Sequence, residues 1–180
     1  MKQILVVVDM QKDFVDGSLG TAEAVAILDN VANRIGQFDG DIIVTFDTHE
    51  ADYLQTSEGR HLPVEHCIKG TPGWELHPVV KQALARREWT AVEKPTFGAV
   101  CLPQIVAKIA GEEDFSVELI GLCTDICVVS NALLLKAHYP EIPISVDADC
   151  CAGVSPLTHE AALKTMSMCQ ITIKGGKTDV

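Results

Sequence analysis

Positive charge is scarce in this 180-residue chain: 14 Lys and Arg stand against 25 Asp and Glu, a formal net charge of −11. Nucleic acid and anionic membrane surfaces both reward clustered cations, so this balance argues against either as a partner. No run of eighteen apolar residues occurs, and no segment reads as a transmembrane helix. The opening MKQILVVVDM is too short for a signal peptide and ends towards a carboxylate; it reads as a buried strand. The seven cysteines, Cys67, Cys101, Cys123, Cys127, Cys150, Cys151 and Cys169, include no C-x-x-C pair, which removes the structural zinc knuckle. An odd count and the adjacent Cys150 and Cys151 point away from a disulfide framework and towards reduced thiols in a cytoplasmic protein. No G-x-G-x-x-G follows a strand-like segment, so a dinucleotide-binding reading is weak. Low-complexity runs and internal repeats are missing too, and a hydrophobic content of 47% excludes disorder.

What is present is an alternation of short apolar runs and longer amphipathic stretches, expected to form one domain over residues 1–180. Segments 3–9, 41–47, 89–94, 116–121, 142–147 and 170–173 are rich in Val and Ile and predict strands. Several are apolar on both faces, as a sheet covered on both sides requires. Between them, 21–37, 75–87, 98–110, 124–138 and 155–169 predict helices. Strand and helix in turn give a parallel, three-layer α/β/α arrangement of Rossmann-like type. From Asp47 to Trp74 the rhythm breaks, and a loop of that length inside a domain is usually functional.

Open parallel sheets bind ligands beyond the carboxyl ends of their strands. Asp9 ends the first predicted strand, Lys94 the third, and Cys127 lies just past the fourth. Thr124 is a candidate N-cap, which puts Cys127 in the first helical turn, where free N–H groups and the helix dipole favour a thiolate. An Asp can take a thiol proton and return it to a leaving amine, and an ammonium beside it favours the anionic forms. The plainer alternative is that both nearby cysteines are small residues in tight strand–helix packing. Periodicity alone leaves that open.

Three stretches resemble the motifs of the isochorismatase-like cysteine hydrolases, the family that contains nicotinamidases: VVVDMQKDFVDGSLG (6–20), VEKPTFGA (92–99) and GLCTDICVVSNAL (121–133). The resemblance spans nearly the whole chain in the right order. It implies a six-stranded parallel sheet, a catalytic triad of Asp9, Lys94 and Cys127, and a thioester on Cys127. It also implies an oxyanion hole from the backbone N–H groups of Cys123 and Cys127, with a cis peptide before Cys123. Phe14 matches an aromatic that walls the substrate pocket. Segment 46–76, FDTHEADYLQTSEGRHLPVEHCIKGTPGWEL, is similar to the nicotinamidase metal segment, and implies Asp47, His49 and His66 as ligands, with Glu58 where some members supply a fourth. Two imidazoles with carboxylates suit zinc, with iron or manganese as alternatives.

The likeness has departures. RHLPVEHC carries Leu62 and Pro63 where nicotinamidases usually have an aromatic before the last His, and Trp74 lies too far along to replace it. With Asp47, His49 and His66 intact, the leading expectation is hydrolysis of nicotinamide to nicotinate and ammonia, while the missing aromatic motivates another small amide or carbamoyl substrate as the second. Isochorismate is a weaker substrate, since vinyl-ether hydrolysis needs no nucleophilic thiol, and a non-catalytic metal-binding or thiol-sensing protein is the alternative outside enzymes. His138 reads as a surface or C-terminal helix residue, and His159 as structural rather than catalytic. Asp147 and Asp149 could face the site or cap a turn, and Asp125 suits the helix dipole. Segment 129–139, VSNALLLKAHY, suits either an interface in a homo-oligomer or a buried core helix.

Overall fold

Five consecutive apolar residues, Ile4–Val8, leave no polar face for solvent, and all five are fully buried. They form most of β1 (Lys2–Val8), which lies inside the sheet with β2 (Asp41–Asp47) on one side and β4 (Phe115–Leu122) on the other. The computed structural model describes residues 1–176. Adding β3 (Thr90–Lys94), β5 (Ile144–Ala152) and β6 (Thr172–Lys174) gives a six-stranded sheet in the order β3-β2-β1-β4-β5-β6, every pair parallel.

Alternate residues of each central strand face opposite layers. Ile4, Val6, Val8, Leu119 and Val146 pack with Leu102 and Val106 of α6 (Leu102–Ala110), Leu135 of α7 (Val129–His138) and Met166 of α8 (Pro156–Met168). Leu5, Val7, Val44 and Ile120 pack instead with Val31 and Ile35 of α3 (Leu28–Gln37) and with Val80 and Leu84 of α5 (Pro78–Leu84). The remaining helices are short: α1 (Lys12–Val15), α2 (Ala22–Ala26) and α4 (Ser57–His61). Among the described residues no helix is long and apolar enough to cross a membrane.

Several expected boundaries shift. The stretch 21–37 divides into α2 and α3, with Thr21 capping α2 by accepting the Ala24 N–H at 3.0 Å. The stretch 47–74 is partly ordered into a 3-10 turn, Tyr53–Gln55, and α4, whose N-cap Thr56 accepts the Gly59 N–H. β5 runs on to Ala152, because its pairing with β4 slips: Leu119 pairs with Val146 but Gly121 with Cys151. Asp147 and Asp149 therefore lie within a bulged strand rather than at its end. Asp149 bonds the Gly176 N–H and, through its carbonyl, Asn30, and the two aspartates are linked to each other. All seven cysteines are free thiols.

Candidate active site

The strand order places four adjacent carboxyl ends side by side, from β3 through β2 and β1 to β4, and each delivers one polar group. Lys94 closes β3 and Asp47 closes β2, directly paired in register. Asp9 follows β1 with φ of 48°, a left-handed conformation that Asp tolerates better than most residues. The chain beyond β4 passes through a cis peptide between Leu122 and Cys123 into a single π-helical turn, Thr124–Val128.

Lys94 is the centre of the group and is only 1% exposed. Its Nζ lies 2.7 Å from Asp9 Oδ2, 3.0 Å from Asp47 Oδ1 and 3.4 Å from Cys127 Sγ, and it also donates to the Thr96 carbonyl at 3.1 Å. Asp9 is wholly buried, and its Oδ1 accepts the Thr45 hydroxyl at 2.6 Å. Asp9 Oδ2 has the ammonium close by, yet no aligned hydrogen bond reaches it among the described residues. Asp9, Lys94 and Cys127 thus meet in one buried cluster.

Burial dominates the electrostatics. It pushes the Asp9 carboxyl above its ordinary value even against the attraction of Lys94. The Cys127 thiol is driven well up by burial first and by the Asp9 charge second, with Lys94 opposing. Burial and the Asp9 charge thus oppose the resting thiolate that the helix start was expected to favour. Burial works against the charged form of Lys94, but three acidic neighbours, Asp9, Cys127 and Asp47, outweigh it and raise the amine. Cys123, by contrast, is pushed up to about 12 by burial and then by Asp125.

Asp47 joins this cluster to a second one. Its Oδ1 faces Lys94, while its Oδ2 lies 3.0 Å from His49 Nε2 and 3.6 Å from His66 Nε2. Glu58 Oε1, carried in on α4, is 3.7 Å from both imidazoles. One ligand atom from each of Asp47, His49, Glu58 and His66 lies within 4.8 Å of all the others. The His66 Nδ1–H donates to the Val64 carbonyl at 2.8 Å, which leaves the Nε2 lone pair turned inwards. Two imidazoles and two carboxylates at this spacing fit a divalent cation. Burial, then the charge of Asp47, raises the Glu58 carboxyl, a repulsion that a bound cation would relieve. The Phe14 ring, on α1, lies 5.4 Å from that of His66, beside the cluster.

Some supports were not singled out from the sequence. Gln11 is fully buried; its amide donates to the Asp47 and Trp74 carbonyls, both at 2.8 Å, and its Oε1 accepts the Asp47 N–H at 2.7 Å. Tyr53 is buried with its ring centroid 4.7 Å from His49 and 4.9 Å from His66. Gln11 lies inside the DMQKDF segment, a signal that was available; Tyr53 sits in a stretch without period and offered none. Trp74 is half-buried, lies with its ring 5.5 Å from that of Phe46 and donates from Nε1 to Thr48. Thr124 is not the N-cap: Cys123 holds that position, without a side-chain cap. The Thr124 hydroxyl is engaged by His159 instead.

The family profile described as Isochorismatase domain matches residues 3–175. An uncharacterized isochorismatase family protein, PncA of Bacillus subtilis strain 168, is 29% identical over 143 residues, covering 74% of this chain and 78% of the relative. Among solved structures, the nicotinamidase/pyrazinamidase PncA from Bacillus subtilis superposes with a TM-score of 0.84 at 25% identity, over 97% of this chain and 100% of that one. The pyrazinamidase of Pyrococcus horikoshii in complex with zinc gives a TM-score of 0.81 at 25% identity, over 98% of this chain and 100% of that one.

Proposed function

The chain belongs to the isochorismatase family, and from that premise we propose that it is a nicotinamidase-type amidohydrolase, turning nicotinamide and water into nicotinate and ammonia through a thioester on Cys127. The observation that carries this reading is the double use of Asp47: one oxygen faces Lys94 of the thiol cluster and the other faces two imidazoles of the metal cluster. A compact substrate could then be held at one end and attacked at the other. The likeness to nicotinamidase and pyrazinamidase structures supports the same substrate class.

In this mechanism Asp9, ionised, takes the Cys127 proton on Oδ2 as the sulfur attacks the amide carbonyl carbon. The carbonyl oxygen becomes an oxyanion held by the backbone N–H groups of Cys123 and Cys127. Asp9 hands its proton to the amide nitrogen, the C–N bond breaks and ammonia leaves. A water molecule then gives a proton to Asp9 and attacks the thioester carbon; the C–S bond breaks and Asp9 returns that proton to the sulfur, restoring the thiol and the carboxylate. Lys94 keeps its charge throughout, steadying Asp9 and the sulfur. Asp47, His49, Glu58 and His66 would hold zinc, or iron or manganese, which when bound offers a Lewis-acid contact for the pyridine nitrogen. Phe14 supplies one wall of the ring pocket.

The substrate is tested by kcat/KM across nicotinamide, benzamide and small N-carbamoyl amides, with zinc, iron or manganese supplied. Nicotinamide should be preferred, and benzamide, which lacks the ring nitrogen, should be poor. A preference for carbamoyl substrates would contradict the proposal and return attention to Leu62 and Pro63.

A further inference from the structure

The π turn that carries Cys127 begins without a cap of its own, since Cys123 offers no side-chain hydrogen bond to it. Its first two polar side chains reach instead to the junction between β5 and α8. Thr124, fully buried, places Oγ1 2.8 Å from His159 Nδ1. The Asp125 carboxylate accepts the Val154 N–H at 3.1 and 3.2 Å. The far side of this contact is firm: Ser155 and Thr158 form a capping box at the start of α8, one turn in which His159 sits. Gly153 lets the histidine approach. A Cβ at that position would stand 2.9 Å from the His159 nitrogen and 3.0 Å from its Cα and Cβ.

We propose that His159 is a positioning residue for the reaction: by holding the Thr124 hydroxyl it fixes the backbone between Cys123 and Cys127, and with it the sulfur and the two N–H groups that receive the oxyanion. Thr124 is bonded directly to Cys123 and precedes Cys127 by three residues, so a turn of its peptide moves both groups at once. Burial pushes the His159 imidazole below its ordinary value and keeps the ring neutral, able to share one hydrogen with the hydroxyl. The inference rests on Cys127 being the nucleophile, as proposed above.

The test uses the full-length, metal-loaded protein in four forms besides the parent: His159→Leu, His159→Asn, Thr124→Val and the His159→Leu/Thr124→Val double variant. Displacement of the turn by a fraction of an ångström should lower kcat about ten- to hundredfold in His159→Leu with KM little changed. His159→Asn, whose amide can reach the place of Nδ1, should recover most of the loss. Thr124→Val should lose as much as His159→Leu, and the double variant no more than either, because one contact is removed in each case. Alkylation of Cys127 by iodoacetamide, followed by peptide mass spectrometry, should speed up in His159→Leu as the buried thiol loosens. Unchanged kcat in Thr124→Val, multiplying losses in the double variant, or no advantage of Asn over Leu would each overturn the proposal; Thr124→Val decides it if His159→Leu fails to fold. A parent protein that releases no ammonia would instead count against the nicotinamidase reading, and equal alkylation rates of Cys127 in the parent and Thr124→Val would then overturn the positioning role.

Discussion

Lys94 Nζ lies within hydrogen-bond reach of Asp47 Oδ1, the Thr96 carbonyl and Cys127 Sγ as well as beside Asp9. The nearest oxygen of Asp9, 2.7 Å away, is held by the charge of the same ammonium, in the cluster that contains the thiol whose proton it is proposed to take. The mechanism starts from ionised Asp9 and protonated Cys127, and both groups have raised values. Activity is therefore lost as pH falls through the raised value of Asp9. The acid limb of kcat/KM should lie above the ordinary carboxylate value of 3.8, and any alkaline limb from Cys127 should lie above 9.0. An acid limb at or below the ordinary carboxylate value would contradict the burial of Asp9 as its governing influence. Replacing the proposed nucleophile, Cys127→Ala, should cost about 10⁴-fold or more in kcat while leaving the fold intact. Cys123→Ala should leave kcat near that of the parent, because only its main chain is assigned a role; steady-state ammonia release separates the two.

At the scale of elements, the approach of β1 to β4 just before Asp9 and Cys123 depends on Gly121. Its φ is 115°, and a Cβ would stand 2.2 Å from the Val8 carbonyl oxygen of the paired strand. Gly121→Ala should destabilise by about 1–3 kcal/mol from the backbone conformation alone, with the close contact adding to it; urea unfolding measures the change. On the same strand Glu118, almost fully buried, accepts from Arg34 of α3 at 2.9 Å and from Lys174 of β6 at 2.6 Å. These partners hold its carboxyl below the usual range despite burial. A lowered folded value means that the stabilisation is present above the unfolded carboxyl's titration and is lost as pH falls through the folded one. Glu118→Gln should cost about 1–3 kcal/mol near neutral pH, and the difference from the parent should shrink in acid. The strands were legible in the sequence because a short run apolar on both faces suits the interior of a covered sheet. Where the expected boundaries were misplaced, non-local contacts decided them. The bulge at Asp147–Cys150 answers to pairing with β4, and Thr124, expected as an N-cap, bonds instead to His159, far along the chain on another element.

In the molecule as a whole, the sheet order converts four strand ends, distant in sequence, into one site. Hydrophobic period could locate Asp9, Lys94 and Cys127 at strand ends but could not pair β3 with β2 and β1 with β4; only the resemblance of three motifs tied them together. Gln11, which bonds both backbone groups of Asp47, was out of reach of period for a related reason, since a buried amide has no periodic signature; only its place in the DMQKDF segment pointed to it. Asp47 makes the whole arrangement one unit, and metal should therefore stabilise it globally. A cation held a hundredfold above its dissociation constant adds about 2.7 kcal/mol, so chelator treatment should lower the melting temperature measured by calorimetry. An unchanged melting temperature would detach the four-residue cluster from metal binding. The most direct measurement is ammonia release from nicotinamide by the intact metal-loaded protein, run beside Cys127→Ala and a metal-stripped sample. Turnover in the first that vanishes in both of the others is the predicted result, whereas no ammonia from the intact, loaded protein would contradict the account at its centre.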